Sequence, residues 1–158
     1  MLLLSRYRDA LALSHIEEML TGGSEAETMA MLRLSAIAPE IISDCRILSF
    51  LEPSNSPQMQ LRALEATAHR PSLVLLHPVV EVLTAQPQVS AQARGALGSF
   101  ESSMVLKALT QRLEVECICC LGGSHSTSGL KRLVATVPDY MVGGPDLLAF
   151  VRLVDRFI

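Results

Sequence analysis

Tryptophan is absent from this 158-residue chain, and Phe, Tyr and Trp together supply only 4% of it. Strands favour aromatic and β-branched residues, so a chain dominated by Leu, Ala, Val and Met is a poor candidate for a sandwich or barrel. It suits close-packed helices. Charged residues are also scarce, at 18%, and the net charge is −3. The thirteen Lys and Arg residues are scattered, leaving no basic stripe of the kind a phosphate backbone demands, so nucleic acid is not expected as a partner. Four cysteines, three of them crowded into 117–120, make no disulfide framework for a chain of this size. A reducing compartment, the cytoplasm, is expected. Nowhere do eighteen apolar residues run together without a charge or a proline, so no transmembrane span is expected. The opening Met1-Leu2-Leu3-Leu4 meets Arg6 and Arg8 too soon to form the core of a signal peptide.

With 49% apolar residues the chain is too hydrophobic for disorder and long enough for one packed domain. Its organising feature is a pattern that returns every thirty residues. Met59 is followed by Ala63 and Ala66, and Val89 by Ala93, Ala96, Leu97 and Gly98. One step earlier, Met29 is followed by Arg33, Ala36 and Ala38; a fourth copy starts early, as Leu113, Cys117, Cys120, Leu121 and Gly122. Repetition at this period signals stacked helical pairs. The expectation is a single all-α domain over 1–158, with units at about 1–23, 24–56, 57–87, 88–113 and 114–138 and a terminal helix at 145–158.

Local signals place the helices. The run Leu3 to Leu20 reads as amphipathic and stops at Gly22-Gly23. Ser24 with Glu27 three residues later makes a capping box, opening a helix to about Ala38, where Pro39 ends it. Its partner is expected over Glu40 to Leu51. The next pair is Gln58 to His69 and Leu73 to Thr84, with a kink or late start caused by Pro78. Val89 to Phe100 and Ser102 to Leu113 follow, then Glu114 to Leu121 and Thr127 to Val137, ended by Pro138. Asp146 would cap a last helix through Phe157. That helix ends on Phe157-Ile158, where a solenoid normally presents a polar cap, so the expectation is either a chain cut from something longer or docking on another surface through the apolar C-terminal helix.

The small residues at the fifth and eighth places, followed by Leu-Gly, as in Val89-Ser90-Ala91-Gln92-Ala93-Arg94-Gly95-Ala96-Leu97-Gly98, resemble the first helix of a HEAT-type repeat of the short kind. The likeness covers about 29–137. Ser90 and Gln60 depart from it, standing where the family often has Arg. The resemblance implies an armadillo-like α-α superhelix, a right-handed solenoid of about four to five antiparallel helix pairs, acting as a scaffold for a protein or peptide partner. Some short repeats of this type resemble subunits of bilin lyases, which implies a second reading as a chromophore-handling enzyme subunit. For that reading, 117–125 is the region to inspect.

No catalytic constellation emerges, and no catalytic, cofactor or metal residue is assigned. Cys117, Cys119, Cys120 and His125 offer soft ligands for zinc, but Cys117 and Cys120 stand in slots that alanine fills in the other units, as small buried residues would. Lys131 does not follow Gly129 directly and is succeeded by Arg132, so the Gly- and Ser-rich stretch before it fails the phosphate-loop order. His69 and His77 lack a nucleophile or carboxylate that would give them work. The second helices of stacked pairs usually line the concave, ligand-binding side. That face would carry Glu40 and Asp44 early, Glu81 in the middle, and Lys107, Gln111, Lys131 and Arg132 late. A face acidic at one end and basic at the other would orient a dipolar peptide or helix. Glu81, Lys107, Gln111, Lys131 and Arg132 are therefore the candidate partner-binding residues.

Overall fold

The computed structural model describes residues 10–35, 37–38, 41–121, 127–141 and 152. Within them the chain forms α1 (Ala10–Gly22), α2 (Glu25–Ser35), α3 (Asp44–Leu51), α4 (Pro57–His69), α5 (Leu73–Ala85), α6 (Ser90–Leu97), α7 (Ser102–Leu121) and α8 (Thr127–Thr136), with 3₁₀ turns at Pro87–Val89 and Val137–Tyr140. No strand occurs among the described residues, and no described helix is long and apolar enough to cross a membrane.

Serine oxygens set where several helices begin. At α2 the Ser24 N–H donates to Glu27 Oε2 at 2.8 Å and the Glu27 N–H returns to Ser24 Oγ at 3.4 Å, the reciprocal box expected from the sequence. Ser56 Oγ accepts from the Met59 N–H at 3.3 Å, with Pro57 occupying the first turn, where its missing donor costs nothing. Ser43 Oγ accepts from the Arg46 N–H at 3.4 Å, so α3 begins at Asp44 and not at Glu40. Likewise α2 stops at Ser35, short of Ala38. The Ile37 and Ala38 N–H groups both turn back to the Leu34 carbonyl.

The backbone N–H and then the hydroxyl of Ser24 hold the Glu27 carboxyl below its usual value of 4.5. A depressed folded value means that the charged cap stabilises α2 above pH 4.5 and that this contribution is lost as pH falls through the folded value. Melting curves between about pH 6 and about pH 3 should therefore fall less steeply for Glu27→Gln than for the unaltered chain, because Gln keeps the shape of the box without titrating. Parallel slopes would remove Glu27 from the account of acid sensitivity.

Two helices depart from their expected bounds. Pro78 lies inside α5, which starts at Leu73, with no late start, and extends to Ala85. The stretch expected to divide at Glu114 is a single helix of 20 residues. No residue there opposes continuation, Leu113 is buried, and Arg112 pairs with Glu116 at 2.8 Å across the expected boundary. The separate helix at Glu114 to Leu121 is thus replaced by the second half of α7. Of the expected C-terminal helix only Arg152 is described, and it is helical.

The thirty-residue pattern corresponds to a buried seam in two of its copies. Ala63, Ala66, Ala93 and Ala96 are all sealed from solvent, and α4 packs on α6. Small side chains allow such helices to approach closely. The earlier copy does not keep this phase: Arg33 is exposed and Met29 only half-buried. Instead α2 buries Thr28, Met31, Leu32 and Ser35, matching Gln60, Ala63, Leu64 and Thr67 of α4 at a spacing of thirty-two residues. The capping serines Ser24 and Ser56 also stand thirty-two apart, so the two buried sets lie at the same distance from the start of each helix.

Consecutive helices pack as α1 with α2, α3 with α4, α5 with α6 and α7 with α8, more closely than the pairs α2 with α3, α4 with α5 and α6 with α7 that the sequence units suggested. Alternate helices also meet, α2 with α4 and α4 with α6, and α3 with α5 and α5 with α7, while α8 also rests on α5. The buried side chains of these elements join into one apolar core. Gly95, in contrast, sits on the outside of α6 with nothing within 4 Å of the position a Cβ would take. Gly95→Ala should stabilise the fold by about 0.5–1 kcal/mol, through the smaller backbone entropy of the unfolded chain. Thermal melting should rise by about 1–4 °C, and a fall would show a contact on that face.

Candidate partner-binding face

The five residues singled out from the sequence fall on three helices, Glu81 on α5, Lys107 and Gln111 on α7, and Lys131 and Arg132 on α8. Glu81, Lys107, Gln111 and Lys131 are exposed. Arg132 is half-buried and turned inward. Its Nε donates to the Leu83 carbonyl at 2.8 Å and its Nη2 donates to the Thr84 carbonyl, both among the last carbonyls of α5. Those oxygens have no partner within their own helix, and a cation at this end also meets the negative pole of the dipole. Gly129, one turn earlier, is buried, and a Cβ there would lie 3.2 Å from the Thr84 carbonyl oxygen. Glycine therefore permits the approach that Arg132 fastens.

Arg112, which the sequence reading did not single out, joins α7 to Glu81 of α5. Its Nη2 lies 2.8 Å from Glu116 of the same helix and its Nη1 lies 3.6 Å from Glu81 of α5. The Glu116 pair has the i,i+4 spacing that sequence shows; the reach to Glu81 depends on how α5 and α7 lie together. On the early part of the face, Asp44 faces Arg70 at 3.3 Å, and Glu40 lies outside the described residues.

Beside Glu81 the surface opens into a cavity of about 140 Å³ between α3 and α5. Leu48, Leu51 and Pro53 form one wall and Pro78, Val82 and Ala85 the other, with Glu52, Glu81 and Gln86 as the polar residues. Pro53 follows the end of α3, and Ala85, the last residue of α5, fills little of the space opposite it. The cavity is smaller than the roughly 300–1,000 Å³ of most small-molecule sites.

The other residues considered for chemistry are dispersed. His69 and His77 are both exposed, and Cys45 is a free, exposed thiol. No group of three His, Cys, Asp or Glu residues that could hold a metal occurs among the described residues. The side chains of Cys117, Cys119 and Cys120, and all of His125, lie outside the described residues. Near the other end of the fold Arg94 donates to Thr136 Oγ1 from Nε at 3.2 Å and Nη2 at 3.0 Å, and the Tyr140 hydroxyl donates to the Arg94 carbonyl at 3.4 Å. Burial, then the adjacent Asp139, raises the Tyr140 phenol above its usual value. These contacts tie α6 to α8 and the turn after it, and they account for all three side chains structurally.

No family model matches the sequence, and neither a curated protein nor a solved structure matches it.

Proposed function

We propose that this chain is a non-catalytic protein-interaction module, a HEAT-like stack of helical hairpins that serves as a scaffold within a larger protein or complex in the cytoplasm. The observation that carries the reading is the double row of alternate contacts, α2 with α4 with α6 and α3 with α5 with α7. A stack of hairpins would produce such rows, each unit touching the next through like helices. The buried alanines of α4 and α6 support it, as does the thirty-two-residue match between the buried sets of α2 and α4. The second row carries the exposed polar side chains Glu81, Lys107 and Gln111, with Lys131 on α8 beyond it. In this reading they form the partner's contact surface, while Arg132 holds α8 in place.

The test is affinity capture from native extract, comparing the unaltered chain with a quadruple variant carrying alanine at 81, 107, 111 and 131. These positions are exposed, so the variant should retain its helical circular dichroism. A specific protein recovered by the first and lost by the second supports the proposal. Recovery of chaperones alone, or of the same proteins by both, overturns it.

A further inference from the structure

We propose that the cavity between α3 and α5 takes a segment of a protein partner that presents one side chain the size of Leu or Phe with a Lys or Arg beside it. This rests on the interaction-module reading and names the chemistry of the partner. Size sets the apolar requirement. The space measures about 140 Å³, close to an engineered apolar cavity of about 150 Å³ that binds benzene. Its walls are apolar, so a single buried hydrocarbon or ring is the group that would gain from leaving water there.

Charge sets the second requirement. Glu52 and Glu81 both line the opening and both are exposed. Two arginines on neighbouring elements are already engaged. Arg132 of α8 is committed to the Leu83 and Thr84 carbonyls. Arg112 of α7 lies closer to Glu116, at 2.8 Å, than to Glu81, at 3.6 Å, so one guanidinium serves two carboxylates. Glu52 has no ion pair among the described residues. It stands at the C-terminal end of α3, and Val82 and Ala85 close the C-terminal turn of α5, so the negative poles of two helices add to the two carboxylates. The opening therefore favours a cation next to the apolar group and repels an acidic segment.

The test uses three blocked synthetic peptides, Ser-Arg-Leu-Arg-Ser, Ser-Glu-Leu-Glu-Ser and Ser-Arg-Ser-Arg-Ser, titrated into the whole isotope-labelled chain and followed by amide chemical shifts. The first should move the resonances of Glu52, Val82 and Ala85 with a dissociation constant in the millimolar range, and the other two should not. Glu52→Gln with Glu81→Gln should weaken the first peptide about tenfold. Ala85→Leu, at an exposed position that leaves the core untouched, should abolish its binding by filling the space. The proposal is overturned if the Arg and Glu peptides act alike, if no shift appears at about 10 mM, or if the same resonances move with protein concentration alone, which would make a second copy the occupant. If the cavity stays silent while capture through Lys107, Gln111 and Lys131 persists, only this inference fails and the interaction module stands.

Discussion

Replacing Ala96 with Asp should lower the melting temperature on the order of 10 °C, or leave the chain unfolded at room temperature. The side chain of Ala96 is 2% exposed, and Ala93, Ala63 and Ala66 on the same two helices are equally sealed. A carboxylate there has neither space nor a partner. Wedging apart a close-packed seam costs about 1–3 kcal/mol, and burying an unsatisfied polar group costs about as much again. Together they remove a large part of the roughly 5–15 kcal/mol that holds an ordinary domain folded. Gln92→Asp is the control, since Gln92 is exposed on the same helix and should change stability by no more than about 0.5 kcal/mol. Equal melting of the two variants would mean that α4 and α6 do not meet along their alanines.

The same seam shows how far sequence patterns extend. Ala63, Ala66, Ala93 and Ala96 were legible as buried because only a helix against another helix explains small residues at that repeated spacing. The capping box of Ser24 and Glu27 was legible because it is a contact between residues three apart. By contrast, the phase of α2 was misread. A pattern counted in fixed steps of thirty overlooks the two extra residues between its cap and the next, and two residues turn a helix by more than half a revolution. The boundary at Glu114 fails for a different reason: the fourth copy, though it starts early, keeps the internal offsets of the pattern, while no local residue stops the helix. At the candidate face, Glu81, Lys107, Gln111 and Lys131 were legible as surface residues, but the cavity and the reach of Arg112 to Glu81 arise from the placement of α3, α5 and α7. No spacing within a helix encodes that placement.

Arg132 is the residue whose sequence-based role and structural role diverge, and its replacement should separate them. Arg132→Ala should destabilise the fold by about 2 kcal/mol, given that hydrogen bonds from a charged donor contribute about 1.5–3 kcal/mol and that partial exposure screens this pair. The melting temperature should then fall by about 4–8 °C. Arg132→Lys should recover only part of the loss. An ammonium keeps the charge beside the end of α5 but lacks the planar fork that reaches the Leu83 and Thr84 carbonyls together. Lys131→Ala, at the exposed neighbour, should leave melting within about 0.5 kcal/mol of the unaltered chain. The two basic neighbours thus divide the work, with Lys131 available to a partner and Arg132 binding α8 to the last turn of α5. Unchanged melting of Arg132→Ala would show that its two hydrogen bonds are replaced by water at no cost, and the guanidinium would then return to the candidate binding face.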